Sequence, residues 1–388
     1  MENGRETTEN GEIAAETALE SPEKRGKSRK IKRIIITVAA VAVAVAMLPF
    51  ALAATVYSSV FGRRFETEQV RMYMPADFEG LVETRERFKT DRGVELQGYF
   101  YSREGLEPKG LVIVCHGFGG GGSNAYMDSA DLFTRAGYAV FMFDAAGNDL
   151  SDGVVTGVPQ YTIDLLKAIE FVDGKEEFKR LPKMLFGHSM GGFSVCNALN
   201  FVEDGAICAV CEMSGFCDSA DVIRLEAIER MGKASLIFMP YVELYEAVKF
   251  GKYSTKTAVT GLKNSSARVV VVHGELDDTI PFETGCGRLR DEFGNDPRFE
   301  FLALPDRGHN NVDWSDAAIE YVAGFNKEYS AWYSSENGEI TAEDRIEYFA
   351  EHFDRKAWSS LLDEDLYAKI VAVFDAAADD FYAKTAGK

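Results

Sequence analysis

Five short apolar runs, each stopping at a glycine-bearing polar turn, constrain this chain more than any other feature. They read "GLVIVCHGFGGGG" (110–122), "AVFMFDAAGND" (139–149), "KMLFGHSMGG" (183–192), "ARVVVVHGELDD" (267–278) and "FEFLALPDRGHNN" (299–311). Segments with helical spacing lie between the first of these, at 124–136, 161–172 and 191–202. Apolar strands alternating with helices predict right-handed βαβ units and a mostly parallel sheet with helices on both faces. In such open sheets ligands bind beyond the carboxyl ends of the strands, where all five polar turns fall. Ahead of them, "LVETRERFKT" and "VELQGYFYSR" predict a strand pair around the turn "DRG" at 91–93.

The third turn holds Gly187-His188-Ser189-Met190-Gly191. Glycines on both sides of a serine suit a sharp strand-to-helix bend that lifts the hydroxyl clear of its surroundings. A serine is a poor nucleophile until a base takes its proton, and the base works best when a carboxylate orients it. Of five histidines, His352 sits in an amphipathic helix pattern, and His116, His188 and His273 adjoin glycines within or beside the other motifs. His309, after the last strand, is free to reach inward. Asp277 is the expected carboxylate, adjacent Asp278 the alternative, and Asp144 at the end of an earlier strand the next choice. A cap or turn role is the competing reading for each carboxylate.

The order Ser189, Asp277, His309 together with "HGFGG" (116–120), "GHSMGG" (187–192), "HGELDDTIP" (273–281) and "GHN" (308–310) resembles the α/β-hydrolase superfamily. The similarity covers about 80–333 and is strongest to the serine aminopeptidase and monoglyceride-lipase-like branch. It implies Ser189 as nucleophile, Asp277 as orienting acid, His309 as general base, and an oxyanion hole from the backbone N–H groups of Phe118 and Met190. It also implies a small lid in the insert at about 216–262. There Ile237, Phe238, Met239, Tyr241, Leu244 and Tyr245 are candidates for an apolar acyl pocket or for ordinary helix packing. The substrate stays open among esters, amides and thioesters, because one fold hosts many chemistries. The expected function is a serine hydrolase acting on a small-molecule acyl ester or amide. An aminopeptidase-type peptidase and a catalytically silent scaffold that binds a ligand are the alternatives.

No cofactor or metal is expected. Asp144, Asp149 and Asp152 crowd one loop, but without the ordered ligand pattern of a calcium site. The six cysteines lie mostly in apolar runs and read as buried thiols. In "CAVC", Cys208 and Cys211 are expected on opposite faces of a strand. A net charge of −20 sets nucleic acid aside as a partner.

The run at 34–61 carries no charged residue and is long enough to cross a bilayer. Seven Lys and Arg residues from Lys24 to Arg33 precede it and only Arg63 and Arg64 follow closely, which predicts a cytoplasmic N-terminus and an extracytoplasmic main domain. Ala51-Leu52-Ala53 has the form of a cleavage site, so secretion after cleavage near Ala53 is the alternative to a single-pass anchor. The expected organisation is a polar, basic and disordered leader at 1–33, the membrane segment at 34–61, the hydrolase domain at 62–335 and a helical extension at 336–388. In that extension Thr341 and Asp344 have capping-box spacing.

Overall fold

In the computed structural model, residues 22–335 and 340–386 are described. The chain divides into two compact units, Met1–Ala51 and Leu52–Lys388. Helix α1 (Pro22–Phe61) is the one helix among the described residues long and apolar enough to cross a membrane. It begins at Pro22, so the second part of the expected disordered leader is helical, and the rest lies outside the described residues. Its last turns, from Leu52, belong to the second unit.

The second unit is built on one eight-stranded sheet ordered β1-β2-β4-β3-β5-β6-β7-β8. β1 (Leu81–Lys89) and β2 (Glu95–Arg103) form the expected hairpin, with Leu81 opposite Arg103 and Gly93 at φ +77° in the turn. β2 joins the rest antiparallel through β4, after which every pair is parallel. The strands are β3 (Leu111–Cys115), β4 (Ala139–Phe143), β5 (Lys183–His188), β6 (Ala209–Met213), β7 (Arg268–Gly274) and β8 (Phe299–Leu304). The helices between them are α2 (Met127–Arg135), α3 (Val158–Asp173), α4 (Met190–Ala198), α5 (Ser219–Met231), α6 (Met239–Phe250), α7 (Ala258–Lys263) and α8 (Arg288–Phe293). Helices α9 (Asp316–Ser335), α10 (Ala342–His352), α11 (Arg355–Trp358) and α12 (Glu364–Ala386) follow.

The central strands β3 to β7 are mainly apolar because both faces are covered, and alternate side chains go to opposite layers, whereas edge strand β1 is largely charged and exposed. Leu111, Ile113 and Cys115 of β3 join α3 and α4 in one layer. Val112 and Val114 join α2 and α12 in the other, where Phe133, Ile370 and Phe374 are fully buried. The carboxy-terminal helix therefore completes one face of the sheet. The Thr341–Asp344 capping box opens α10, with each side chain accepting the other residue's backbone N–H. All six cysteines are free. Strand β6 starts only at Ala209, so Cys208 precedes the alternation, and Cys208 and Cys211 pack in the same layer rather than on opposite faces.

Candidate active site

Ser189 stands between β5 and α4 with φ 57° and ψ −119°, a conformation that non-glycine residues rarely hold and that the surrounding structure must enforce. The flanking glycines make this possible. A Cβ on Gly191 would fall on the Cys115 carbonyl, and one on Gly187 would fall on the Gly191 carbonyl. The bend is fixed by the Ser189 N–H donating to the Met213 carbonyl at 2.8 Å.

The loops after β7 and β8 bring the other two groups to the serine. The Ser189 hydroxyl lies 2.9 Å from His309 Nε2, and His309 Nδ1 lies 2.8 Å from Asp277 Oδ2. With an ionised Asp277, Nδ1–H donates to the carboxylate and Nε2 is left to accept from the hydroxyl. Asp277 Oδ1 accepts the backbone N–H groups of Thr279 (3.0 Å) and Ile280 (2.7 Å). Burial works against its charge, but hydrogen bonds from His273 and His309 and from the Ile280 backbone outweigh it and hold the carboxyl well below the usual range. His273 donates from Nε2 to the Ile280 carbonyl at 2.9 Å, within 3.4 Å of Asp277 Oδ2. Adjacent Asp278 is exposed, so the two candidate acids are separated by burial and orientation.

Asp144 and Asp149 hold the glycine-rich loop instead. Asp144 accepts from the Ser123 N–H and hydroxyl and from the Tyr99 hydroxyl. Asp149 accepts from the N–H of Gly122 and from the N–H and hydroxyl of Thr67. Their oxygens are committed to these donors, so both have a structural role in holding the loops, while Asp152 lies 3.5 Å from Arg87.

Phe118, in the loop after β3, and Met190, the first residue of α4, line the same cavity as Ser189. The Met190 N–H lies in the first turn of α4, where backbone donors have no intrahelical acceptor. The Phe118 ring packs against Phe61 at 5.4 Å and Phe65 at 4.7 Å.

His188 ties three parts of the site together, a role its place beside a glycine did not disclose. Its Nε2–H donates to the His309 carbonyl at 3.0 Å, and its Nδ1 accepts from the Tyr126 hydroxyl at 2.9 Å. The Tyr126 oxygen in turn accepts the Gly117 N–H at 3.1 Å. Burial, then the neighbouring His309, pushes His188 down to about 3, so the imidazole stays neutral. Tyr126 lies outside every motif, and only the fold brings it here.

The cavity holding Ser189 and His309 has a volume of about 1070 Å³. One end is polar, with Asn124, Asp128 and Asp313 among its lining. Burial and the neighbouring Asp313 push Asp128 up to about 7, and burial pushes Asp313 up to about 6. The other end is apolar. Of the six insert residues proposed for an acyl pocket, Phe238 and Met239 line it. Ile237 and Leu244 are 72% and 52% exposed, because their side of the insert faces solvent. Tyr241 is outside the lining, and Tyr245 packs edge-on against Tyr57 at 5.3 Å. Val222, Ile223 and Val242 from the insert, and Val56 and Val60 from α1, add to the apolar lining, which Glu226 and Arg230 of α5 border.

A family model described as serine aminopeptidase, S33, matches residues 106–221. Caffeoylshikimate esterase of Arabidopsis thaliana is 32% identical over 117 residues, 29% of this chain and 35% of the esterase. Monoglyceride lipase of Rattus norvegicus is 34% identical over 88 residues, 22% of this chain and 28% of the lipase. These two matches therefore span about a third of each relative's length. An uncharacterized 31.7 kDa protein of Escherichia coli is 30% identical over 203 residues, 50% of this chain and 69% of that protein.

Proposed function

The chain belongs to the α/β-hydrolase superfamily, in its serine aminopeptidase and monoglyceride-lipase-like branch, and from that premise we propose that it is a membrane-anchored serine hydrolase that cleaves a carboxylic ester through an acyl-enzyme. The observation that carries this reading is the unbroken chain of hydrogen bonds from Ser189 through His309 to Asp277, with Ser189 and His309 lining a large cavity.

In the first step Ser189 Oγ bonds to the substrate carbonyl carbon as His309 Nε2 takes its proton. The carbonyl oxygen becomes an oxyanion that the N–H groups of Phe118 and Met190 stabilise, each such donor contributing roughly 2.7–4 kcal/mol. The intermediate collapses as His309 returns the proton to the leaving alcohol. Water then bonds to the acyl carbon as His309 takes its proton, and the C–Oγ bond breaks as His309 returns that proton to Ser189 Oγ, releasing the acid. Asp277 holds Nδ1–H and stabilises the imidazolium formed in each step. His188 and Tyr126 keep the base loop and the glycine loop in register.

Anchoring rests on the uncharged run of α1 and the basic residues before it. Since α1 from Leu52 onward belongs to the second unit, the membrane segment is better placed at 34–51 than at 34–61. Those 18 residues span ~27 Å as a helix, close to a hydrocarbon core of about 30 Å. The main domain then lies outside the cytoplasm. Amino-terminal sequencing separates this from secretion, since cleavage would leave Ala54 first.

Aminoacyl amide hydrolysis is the second reading, favoured by Asp128 and Asp313 at the polar end of the cavity, where an ammonium group could be received. A fluorophosphonate label followed by a panel of acyl esters and aminoacyl amides tests both. Labelling with ester turnover supports the first reading and labelling with amide turnover the second. Ligand binding without labelling would instead indicate a silent scaffold.

A further inference from the structure

The last turns of the apolar amino-terminal helix do more than continue a membrane segment. Within the second unit, Ala53, Tyr57 and Phe61 are buried, with Val56 and Val60 half-buried on the same side. Spacings of three and four residues make this one face of a helix packed on protein. The face is bolted in place by a buried carboxylate. Glu246 of α6 accepts the Tyr57 hydroxyl on one oxygen and the Ser219 hydroxyl, at 2.6 Å, on the other. Gly157 leaves the space that Tyr57 needs, since a Cβ there would land on the tyrosine oxygen. At the far end of the face, the Phe61 ring meets Phe118 beside Ser189.

We infer that Leu52–Phe61 form a specificity-determining wall of the ester site, with Val56 and Val60 facing the acyl chain of the substrate opposite Val222, Met239 and Val242. The inference deepens the proposed hydrolase reading and rests on Ser189 as its nucleophile. The occupant is a long acyl chain rather than an acetyl group. The cavity is slightly larger than the ~300–1,000 Å³ usual for small-molecule sites, and its apolar end offers no polar partner on the α1 side beyond Ser59 and the already committed Tyr57. Chain continuity adds to this, because Leu52 directly follows the uncharged run proposed to lie in the bilayer. A substrate whose acyl chain partitions into membrane thus meets a site walled by the anchor's own extension. Cleavage after Ala53 would remove Leu52 and Ala53 but keep Val56, Tyr57, Val60 and Phe61.

The test uses the full chain in detergent micelles and reads the ratio of kcat/KM for a hexadecanoyl ester to that for an acetyl ester. Val56→Trp fills the wall and should lower that ratio by about tenfold or more, the scale on which hydrophobic pockets discriminate chain length. Val56→Ala, a change too mild to threaten folding, should raise it. An unchanged ratio in both variants, or a shift in the opposite sense, overturns the wall while leaving the hydrolase reading intact. Binding of cis-parinaric acid to Ser189→Ala protein separates the two ideas. If wild-type protein cleaves no ester but Val56→Trp still weakens parinarate binding about tenfold in the Ser189→Ala background, the wall stands and the hydrolase reading fails. Parinarate binding that ignores Val56→Trp overturns the wall whatever the catalysis.

Discussion

The two ends of the cavity are built by different means. At the reacting end, Ser189, Asp277 and His309 each sit just past the carboxyl end of a parallel strand, and backbone hydrogen bonds hold the serine, to Met213 of β6, and the acid, within its own loop. At the apolar end the lining comes from the end of α1 and from the insert helices α5 and α6, which lie far apart in sequence and meet through the Glu246 carboxylate. The first arrangement makes positions precise because the sheet is common to all three loops. The second makes shape and length adjustable, because a change in the insert or the helix end alters the pocket without moving the nucleophile.

Substitutions should separate the two ends by size of effect. Ser189→Ala should lower kcat by roughly a millionfold, the scale of removing a triad nucleophile, while far-ultraviolet circular dichroism stays unchanged. Substantial ester turnover in that variant would break the assignment of the reacting end. Asp277→Asn should cost roughly 10⁴ in kcat, since the base loses the charge that fixes its tautomer. The exposed Asp278→Asn should remain close to wild type, and a reversed result would move the acid by one residue. His188→Ala should cost about 10² in kcat with a smaller change in KM, because it loosens the base and glycine loops without removing a reacting group. If KM changes and kcat does not, His188 belongs to substrate binding instead.

At the apolar end, breaking the buried hydrogen bonds should cost stability rather than turnover. Tyr57→Phe leaves one buried oxygen of Glu246 without its donor and should cost about 1–3 kcal/mol in chemical denaturation. Ester turnover of the folded fraction should change far less than in the triad variants. Acidity supplies a smaller and broader effect. Burial raises Asp128 and Glu212 to about 7 and Asp164 and Asp313 to about 6 in the folded protein. Between about pH 4 and 7 the native state therefore binds more protons than the unfolded chain, and stability falls as pH rises through that window. Asp277, held low, and His188, held neutral, contribute in the opposite sense, Asp277 only below about pH 4 and His188 below about pH 6.5, where one histidine is outweighed by the four raised acids. The protein should be at least about 1 kcal/mol more stable at pH 5 than at pH 8, and Asp128→Asn should flatten the slope. A rise in stability from pH 5 to pH 8 would contradict the burial of these acids.

The reacting end was legible because its motifs are local. Gly187, Ser189 and Gly191 must be contiguous to make the bend, and apolar strand runs announce where loops end up on the sheet. The apolar end was not. A uniformly apolar stretch such as 34–61 has no periodic contrast, so the face formed by Ala53, Val56, Tyr57, Val60 and Phe61 is invisible in it. The hydroxyls of Tyr57, Ser58 and Ser59 near its end were the available sign that this part of the segment packs on protein. The insert showed the same limit, since only Phe238 and Met239 of the six apolar candidates line the cavity.

Alternation of apolar runs with glycine-bearing turns by itself determined that this chain forms a mostly parallel sheet with helices on both faces and that its polar turns gather at the carboxyl ends of the strands. Period and turn chemistry are properties of neighbouring residues, so they survive in one dimension. Tertiary structure alone decided that Asp277 rather than Asp278 faces His309, that His188 and Tyr126 link the His309 loop to the glycine loop, and that the last turns of α1 line the cavity. Each of those depends on which surfaces meet across long stretches of chain, and burial assigns a partner only when the fold has closed around it.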